Sequence, residues 1–309
     1  MKLPKGLKFL LPLALVLLVA VLVVPSYADA HEPPVAGRPP SVPVPAVDVE
    51  IVKKATLKGP KAPKGKPPKQ AATGILGETC AGDKFAIIIG ISDYPGESSD
   101  LDYCGDDAND VKLALKTLYG YQESNIVLLV DVAATRSAIV LAIEWARTNA
   151  GADDEVFFFF SGHGARGKAS YGDSEKVDEA IVCHEAGEFS YIWDGELRSF
   201  FSGFATTRII LVFDSCLSGG MTDLSAPGRV IAMACSENGV SLEDEVWGNG
   251  QFTFYFFDQG MLAGRADVYD HNGNPQPDVV IEESFDYAKA NCMQQTPVIS
   301  DSFMNDLLP

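Results

Sequence analysis

Two stretches of this chain are unbroken apolar runs, Phe85-Ala86-Ile87-Ile88-Ile89 and Val156-Phe157-Phe158-Phe159-Phe160. A strand that is hydrophobic at every position is covered on both faces. Similar runs at 125–130, 208–213 and 229–234 predict three more strands. Between them the apolar positions change to helical spacing. Val111, Leu115 and Leu118 predict a helix over 106–118, and Ile139, Ile143 and Ala146 one over 135–148. Further helices are predicted over 193–201, over 252–261 on the stripe of Phe252, Tyr255 and Phe256, and over 282–291. Strands alternating with helices at these lengths predict an α/β fold, with a mainly parallel central sheet flanked by helices on both faces. In such sheets function gathers at the carboxyl ends of the strands.

The pattern is absent before residue 80. Lys2, Lys5 and Lys8 precede an apolar run from Phe9 to Val24, and Ala28-Asp29-Ala30 offers a small-residue cleavage site. This predicts a signal peptide over 1–30 and a secreted or extracytoplasmic protein. The alternative is an uncleaved membrane anchor, although Pro12 interrupts a run already short for a span. Residues 31–79 are rich in Pro and Lys, which predicts a disordered linker or pro-segment. The domain proper is expected over 80–309. There, 13 Lys and Arg stand against 37 Asp and Glu, a net of −24. Such acidity argues against nucleic acid as a partner. The six cysteines have no zinc-finger spacing, and a bridge through Cys80 or Cys292 stays open.

The third and fourth predicted strands end in unusual sequences. One runs into Ser161-Gly162-His163-Gly164, the other into Asp214-Ser215-Cys216-Leu217-Ser218-Gly219-Gly220. If these strands are neighbours in one parallel sheet, His163 and Cys216 emerge on the same edge. A cysteine nucleophile needs a thiolate, an imidazole to move protons, and backbone N–H groups for the oxyanion. Gly164 and Cys216 are the candidate donors. A lone buried Cys or a lone loop His is ordinarily structural, but the two together at paired strand ends favour catalysis. A serine hydrolase is disfavoured because no Gly-x-Ser-x-Gly elbow occurs.

With these motifs the chain resembles the caspase-like cysteine peptidases, and among them the prokaryotic and metacaspase-type members. Further matching segments are Gly90-Ile91-Ser92-Asp93-Tyr94, Leu101 through Ala108, Asp178-Glu179-Ala180-Ile181, Ile192-Trp193-Asp194 and Gln295-Thr296-Pro297. The resemblance implies a caspase-haemoglobinase-like three-layer fold and a dyad of His163 and Cys216, with no cofactor needed for the chemistry. It also implies a pocket for Arg or Lys before the cut, formed by Asp107 and Asp214 with Cys104 and Ser161 beside them. Charge agrees, since two carboxylates in a partly buried slot call for a cation, and a guanidinium can pair with them bidentately. Some members are calcium-dependent, which implies Ca²⁺ ligands at Asp178 or Glu179, Asp194 and Asp223. The chain departs from the family at Gly195, where a second acidic residue is common, and at Leu217, where His is common. A second calcium candidate is Asp270-His271-Asn272-Gly273-Asn274 with Glu282, whose spacing breaks at Pro275-Gln276-Pro277.

The expected partners are peptides or proteins with basic residues, and a membrane only through an uncleaved anchor. Self-processing is expected at Lys64 or Lys69 rather than Lys66, which a proline follows, or at Arg166 or Lys168 in the loop predicted after His163. The competing readings are an idle caspase-fold binding module, a legumain-like peptidase of different specificity, and a flavodoxin-like ligand-binding domain.

Overall fold

A computed structural model describes residues 43–56, 70–169, 176–274 and 276–309. The predicted signal peptide and the lysines at 64, 66 and 69 lie outside them. In chain order the strands are β1 (Ala46–Val52), β2 (Ala55–Thr56), β3 (Lys84–Gly90), β4 (Ile126–Val130), β5 (Glu155–Ser161), β6 (Gly164–Ala169), β7 (Asp178–Glu185), β8 (Glu188–Trp193), β9 (Ile209–Asp214), β10 (Arg229–Met233), β11 (Leu242–Asp244), β12 (Asn249–Gly250) and β13 (Val298–Asp301). The α-helices are α1 (Cys104–Leu118), α2 (Arg136–Asn149), α3 (Asp194–Phe201), α4 (Gln251–Thr253) and α5 (Ile281–Asn291). Helix α4 continues into π-type turns over Phe254–Leu262.

Six strands form one sheet in the order β13-β10-β9-β5-β3-β4. Its pairs are parallel except for the edge strand β13. The phenylalanine run of β5 shows why the sheet is central. Side chains alternate across a strand, so Phe158 and Phe160 enter one hydrophobic cluster with Ile139 and Ile143 of α2 and Phe200 of α3. Phe157 and Phe159 enter the other, with Val111 and Leu115 of α1, Phe256 and Phe285. An edge or half-exposed strand could not carry four such residues.

Two features differ from the sequence expectation. The segment after His163 is strand rather than loop: β6, β7 and β8 form a second, antiparallel sheet. The expected linker over 31–79 is also corrected in part. Residues 46–52 form β1 and complete that second sheet by pairing with β6, with Val52 opposite Gly164. The alternation Val47-x-Val49-x-Ile51 is a strand signal inside a Pro/Lys-rich surround. Next, β2 pairs with β11. Farther along, the Asp286 carboxylate accepts the N–H groups of Ala71 and Ala72, and Asp306 those of Thr73 and Gly74. Arg166 and Lys168, expected as open cutting sites, pair with Glu50 and Asp48 of β1. All six cysteines are free thiols, so no bridge forms through Cys80 or Cys292.

Candidate active site

Strands β5 and β9 run parallel in register, with Ser161 opposite Asp214. Each reactive residue lies two positions beyond that pair, so His163 and Cys216 leave the sheet side by side. Gly164 lies against the Cys216 backbone: a Cβ there would come 2.0 Å from the Cys216 carbonyl oxygen, so only glycine fits. The residue after Cys216, Leu217, has φ 61. This left-handed conformation is uncommon for a branched side chain; the chain turns sharply there, and the Leu217 N–H is held by Gly239 O at 3.0 Å.

The His163 ring is oriented from two sides. Tyr94 stacks on it with centroids 4.5 Å apart. The Tyr94 hydroxyl accepts the His163 backbone N–H at 3.0 Å and donates to Val182 O at 3.1 Å. The imidazole Nε2 stands 2.7 Å from Ser99 O. A carbonyl only accepts, so Nε2 carries the proton and Nδ1 keeps its lone pair. Nδ1 is buried and has no hydrogen-bond partner. Burial lowers the His163 pKa to about 4, against the pull of the Ser99 carbonyl. The Cys216 sulfur accepts the Ser241 N–H at 3.3 Å, and burial pushes its thiol up to about 12. Both groups are therefore neutral at pH 7.

Beside them is an acidic slot. Asp107, in the first turn of α1, and Asp214, at the end of β9, are fully buried, as is Ser161. Asp107 accepts from Gly250 N at 2.8 Å and Ser161 Oγ at 2.6 Å. Asp214 accepts from Ser241 Oγ, and from Thr253 N at 3.0 Å and Thr253 Oγ1 at 2.7 Å. Burial raises the Asp107 pKa. Cys104 forms part of the same buried surround, its thiol also raised by burial. The slot is filled by a residue the sequence reading had placed in the linker, Lys54. Its Nζ donates to Ser161 Oγ at 2.8 Å and lies 3.1 Å from Asp214 Oδ1 and 3.6 Å from Asp107 Oδ2. Burial works to lower the Lys54 pKa, but the carboxylates of Asp214, Asp107 and Glu243 hold it well above its usual value. Gly250 closes the slot, where a Cβ would come 2.4 Å from Asp214 Oδ2 and 3.0 Å from Lys54 Nζ. Sequence reasoning missed Lys54, Gly250, Tyr94 and Ser99. Lys54 carried a local signal by following the alternating run of β1, and Tyr94 by closing the matching segment Gly90 through Tyr94.

The carboxylates expected to bind calcium are Asp178 or Glu179, Asp194 and Asp223. Asp178 and Glu179 open β7, Asp194 opens α3, and all three are buried. Asp223 pairs with Arg198 at 3.3 Å. The Asp194 carboxylate accepts the N–H groups of Gly195 at 2.7 Å and Glu179 at 3.3 Å. Among the described residues, no three His, Cys, Asp or Glu side chains stand where they could hold a metal ion. In the second candidate, Asp270, Asn272 and Asn274 each accept a backbone N–H of their own loop, and Glu282 instead accepts the N–H of Leu307.

Residues 84–225 match the family described as metacaspase, peptidase C14 domain. Metacaspase-1 of Cryptococcus neoformans is 35% identical over 154 residues, covering 47% of this chain and 34% of that protein. Metacaspase-1 of Schizosaccharomyces pombe is 32% identical over 155 residues, 47% of this chain and 36% of that protein. Metacaspase-1A of Neurospora crassa is 31% identical over 163 residues, 49% and 35% respectively. The chain thus spans about a third of the length of these curated relatives. A crystal structure of a protein from Geobacter sulfurreducens superposes with TM-score 0.53 at 18% identity, covering 71% of this chain and 93% of that one. That likeness concerns the fold alone.

Proposed function

We propose that this chain, whose residues 84–225 carry a caspase-like, metacaspase-type peptidase domain, is a cysteine endopeptidase that cuts after Arg or Lys and is held latent by its own Lys54. The observation that carries this reading is the slot: a fully buried ammonium on two buried carboxylates, beside the paired strand ends of His163 and Cys216. An Asp at that subsite would face like charge, and an Asn would leave the carboxylates unbalanced.

The residues divide the chemistry as follows. His163 Nδ1, with its lone pair free, takes the thiol proton of Cys216. The thiolate sulfur adds to the carbonyl carbon of the scissile bond, and the oxyanion is received by the N–H groups of Gly164 and Cys216. The imidazolium returns the proton to the leaving amine as the C–N bond breaks. Water, deprotonated by His163, then hydrolyses the thioester. The Nε2–H bond to Ser99 and the stacking of Tyr94 hold the ring in the tautomer these steps need. In the latent form β1 pairs across Gly164 and Lys54 fills the slot, so a substrate enters only when this strap leaves. No step is routed through calcium. The three-layer caspase-haemoglobinase-like architecture, export directed by residues 1–30, and self-cutting at a lysine between β2 and Gln70 belong to the same reading.

The test is kcat/KM of the full chain, and of Lys54→Ala, on matched peptides ending in Arg, Lys, Asn or Asp. Losing the buried ion pairing costs several kcal/mol, so basic peptides should lead by on the order of 10²-fold. A preference for Asp or Asn sinks the specificity reading. Intact-mass comparison of wild type with Cys216→Ala tests self-cutting, which predicts new ends after Lys or Arg in the wild type alone.

A further inference from the structure

Glu243 sits on β11, opposite Thr56, two residues along the strap from Lys54. It is buried, at 5% exposure. Its Oε1 accepts the N–H of Asp102 at 3.1 Å, ahead of α1. Its Oε2 is buried and has no hydrogen-bond partner. Its charge acts on both Lys54 and Cys104, the residues that fill and flank the slot.

The other carboxylate oxygens of the slot are engaged. Asp107 Oδ1 holds Gly250 N and Oδ2 holds Ser161 Oγ; Asp214 Oδ1 holds Ser241 Oγ and Oδ2 holds Thr253. The Lys54 ammonium is a point charge with three donors, directed at Ser161, Asp214 and Asp107. A guanidinium is a flat fork with five donors and reaches acceptors on two walls at once. A bare, buried carboxylate oxygen is costly, and a side chain that covers it is favoured over one that cannot.

We infer that Glu243 is the third acidic wall of the substrate slot and selects arginine over lysine at the residue before the cut, its Oε2 accepting a guanidinium N–H that a lysine ammonium does not supply. This deepens the reading above and rests on it. The simpler role, a carboxylate that caps the start of α1, rests on the Asp102 N–H at Oε1, a bond that a glutamine oxygen accepts equally well. Glu243→Gln therefore separates the two roles.

The experiment measures kcat/KM of the full chain and of Glu243→Gln on two peptides that differ only in Arg or Lys before the cut. The strap competes equally with both peptides, so their ratio is independent of how tightly Lys54 is bound. Wild type should favour Arg by tenfold or more. Glu243→Gln should lower that ratio at least tenfold, mostly by losing activity on Arg, with the melting temperature nearly unchanged. A ratio unmoved by the substitution, or equal losses on both peptides with a fall in melting temperature, leaves Glu243 a cap and overturns the inference while basic specificity stands. If neither basic peptide is cut by wild type or by Lys54→Ala, the slot reading fails first, and this inference falls with it.

Discussion

Replacing Lys54 by Ala should turn a latent enzyme into an active one. The side chain is wholly buried, with Nζ 3.1 Å from Asp214 and 3.6 Å from Asp107. At an effective dielectric near 20, each contact is worth about 5 kcal/mol of Coulomb attraction. Dehydrating the ammonium costs several kcal/mol in the other direction, which leaves a net of about 2–4 kcal/mol holding the strap in the slot. At 1.36 kcal/mol per decade, that is a suppression of roughly 30-fold to several hundred-fold. Lys54→Ala should therefore raise kcat/KM on an Arg peptide by roughly that factor. Thermal stability should fall, because two buried carboxylates lose their cation, but by less than a sealed site would lose, since water enters the opened slot. Lys54→Arg should shift activity the other way, as a guanidinium also covers Glu243 Oε2. The assay is initial-rate cleavage by freshly purified protein, with near-ultraviolet circular dichroism to show that the fold is intact. An intact Lys54→Ala variant with wild-type or lower activity refutes the latency argument.

Three further outcomes follow from the same geometry. Cys216→Ala should abolish cleavage in the Lys54→Ala background and His163→Ala should cost about as much, because residues acting as a unit are not additive; residual activity near the parent's in either would refute the assignment. Gly250→Val should close the slot, since a Cβ already meets both carboxylates and the bound cation; a drop of more than 10²-fold on basic peptides is expected, and unchanged KM and kcat would contradict it. Burial holds His163 at about 4, below its unfolded value near 6.5. Below pH 6.5 the unfolded chain thus binds a proton that the folded chain does not, and stability falls until about pH 4, by about 3 kcal/mol in all. Denaturant titrations of wild type and His163→Gln across that range should diverge by this amount, and parallel curves would exclude it.

The buried strands and the helices between them were legible because their signal is local: four consecutive phenylalanines suit a strand with a core on each side and little else. The two reactive residues were legible for a similar reason, since each follows directly on a strand and is flanked by glycine. What eluded the sequence was non-local. Strands β6 to β8 mix glycine and charged residues with their apolar ones, so they lack the unbroken apolar run that marked the central strands. Lys54 looked like one more basic residue in a Pro-rich stretch, and only the partner strands β6 and β11, more than a hundred residues away, give its neighbourhood an extended form. Asp107 was placed at the slot by resemblance, and its position in the first turn of α1 suits the helix dipole as well. The carboxylates expected to bind calcium show how little residue type alone says of its neighbours. Their residue types suit the ion, yet Arg198 and backbone N–H groups engage them.

Strand β1 is the outer member of its sheet and β6 lies directly beneath it. Whatever dislodges the strap therefore does more than open a slot. It converts β6 from an interior strand to an edge, baring the hydrogen-bonding groups that β1 satisfied from Gly164 to Ala169. A bare edge recruits any extended chain that reaches it, and this one begins at the residue that lies against the nucleophile. If the proposed latency holds, release of the strap would also offer a backbone surface along which a substrate strand could align. The same edge would be open to a second copy of the chain, so the strap that fills the slot also covers a surface for self-association.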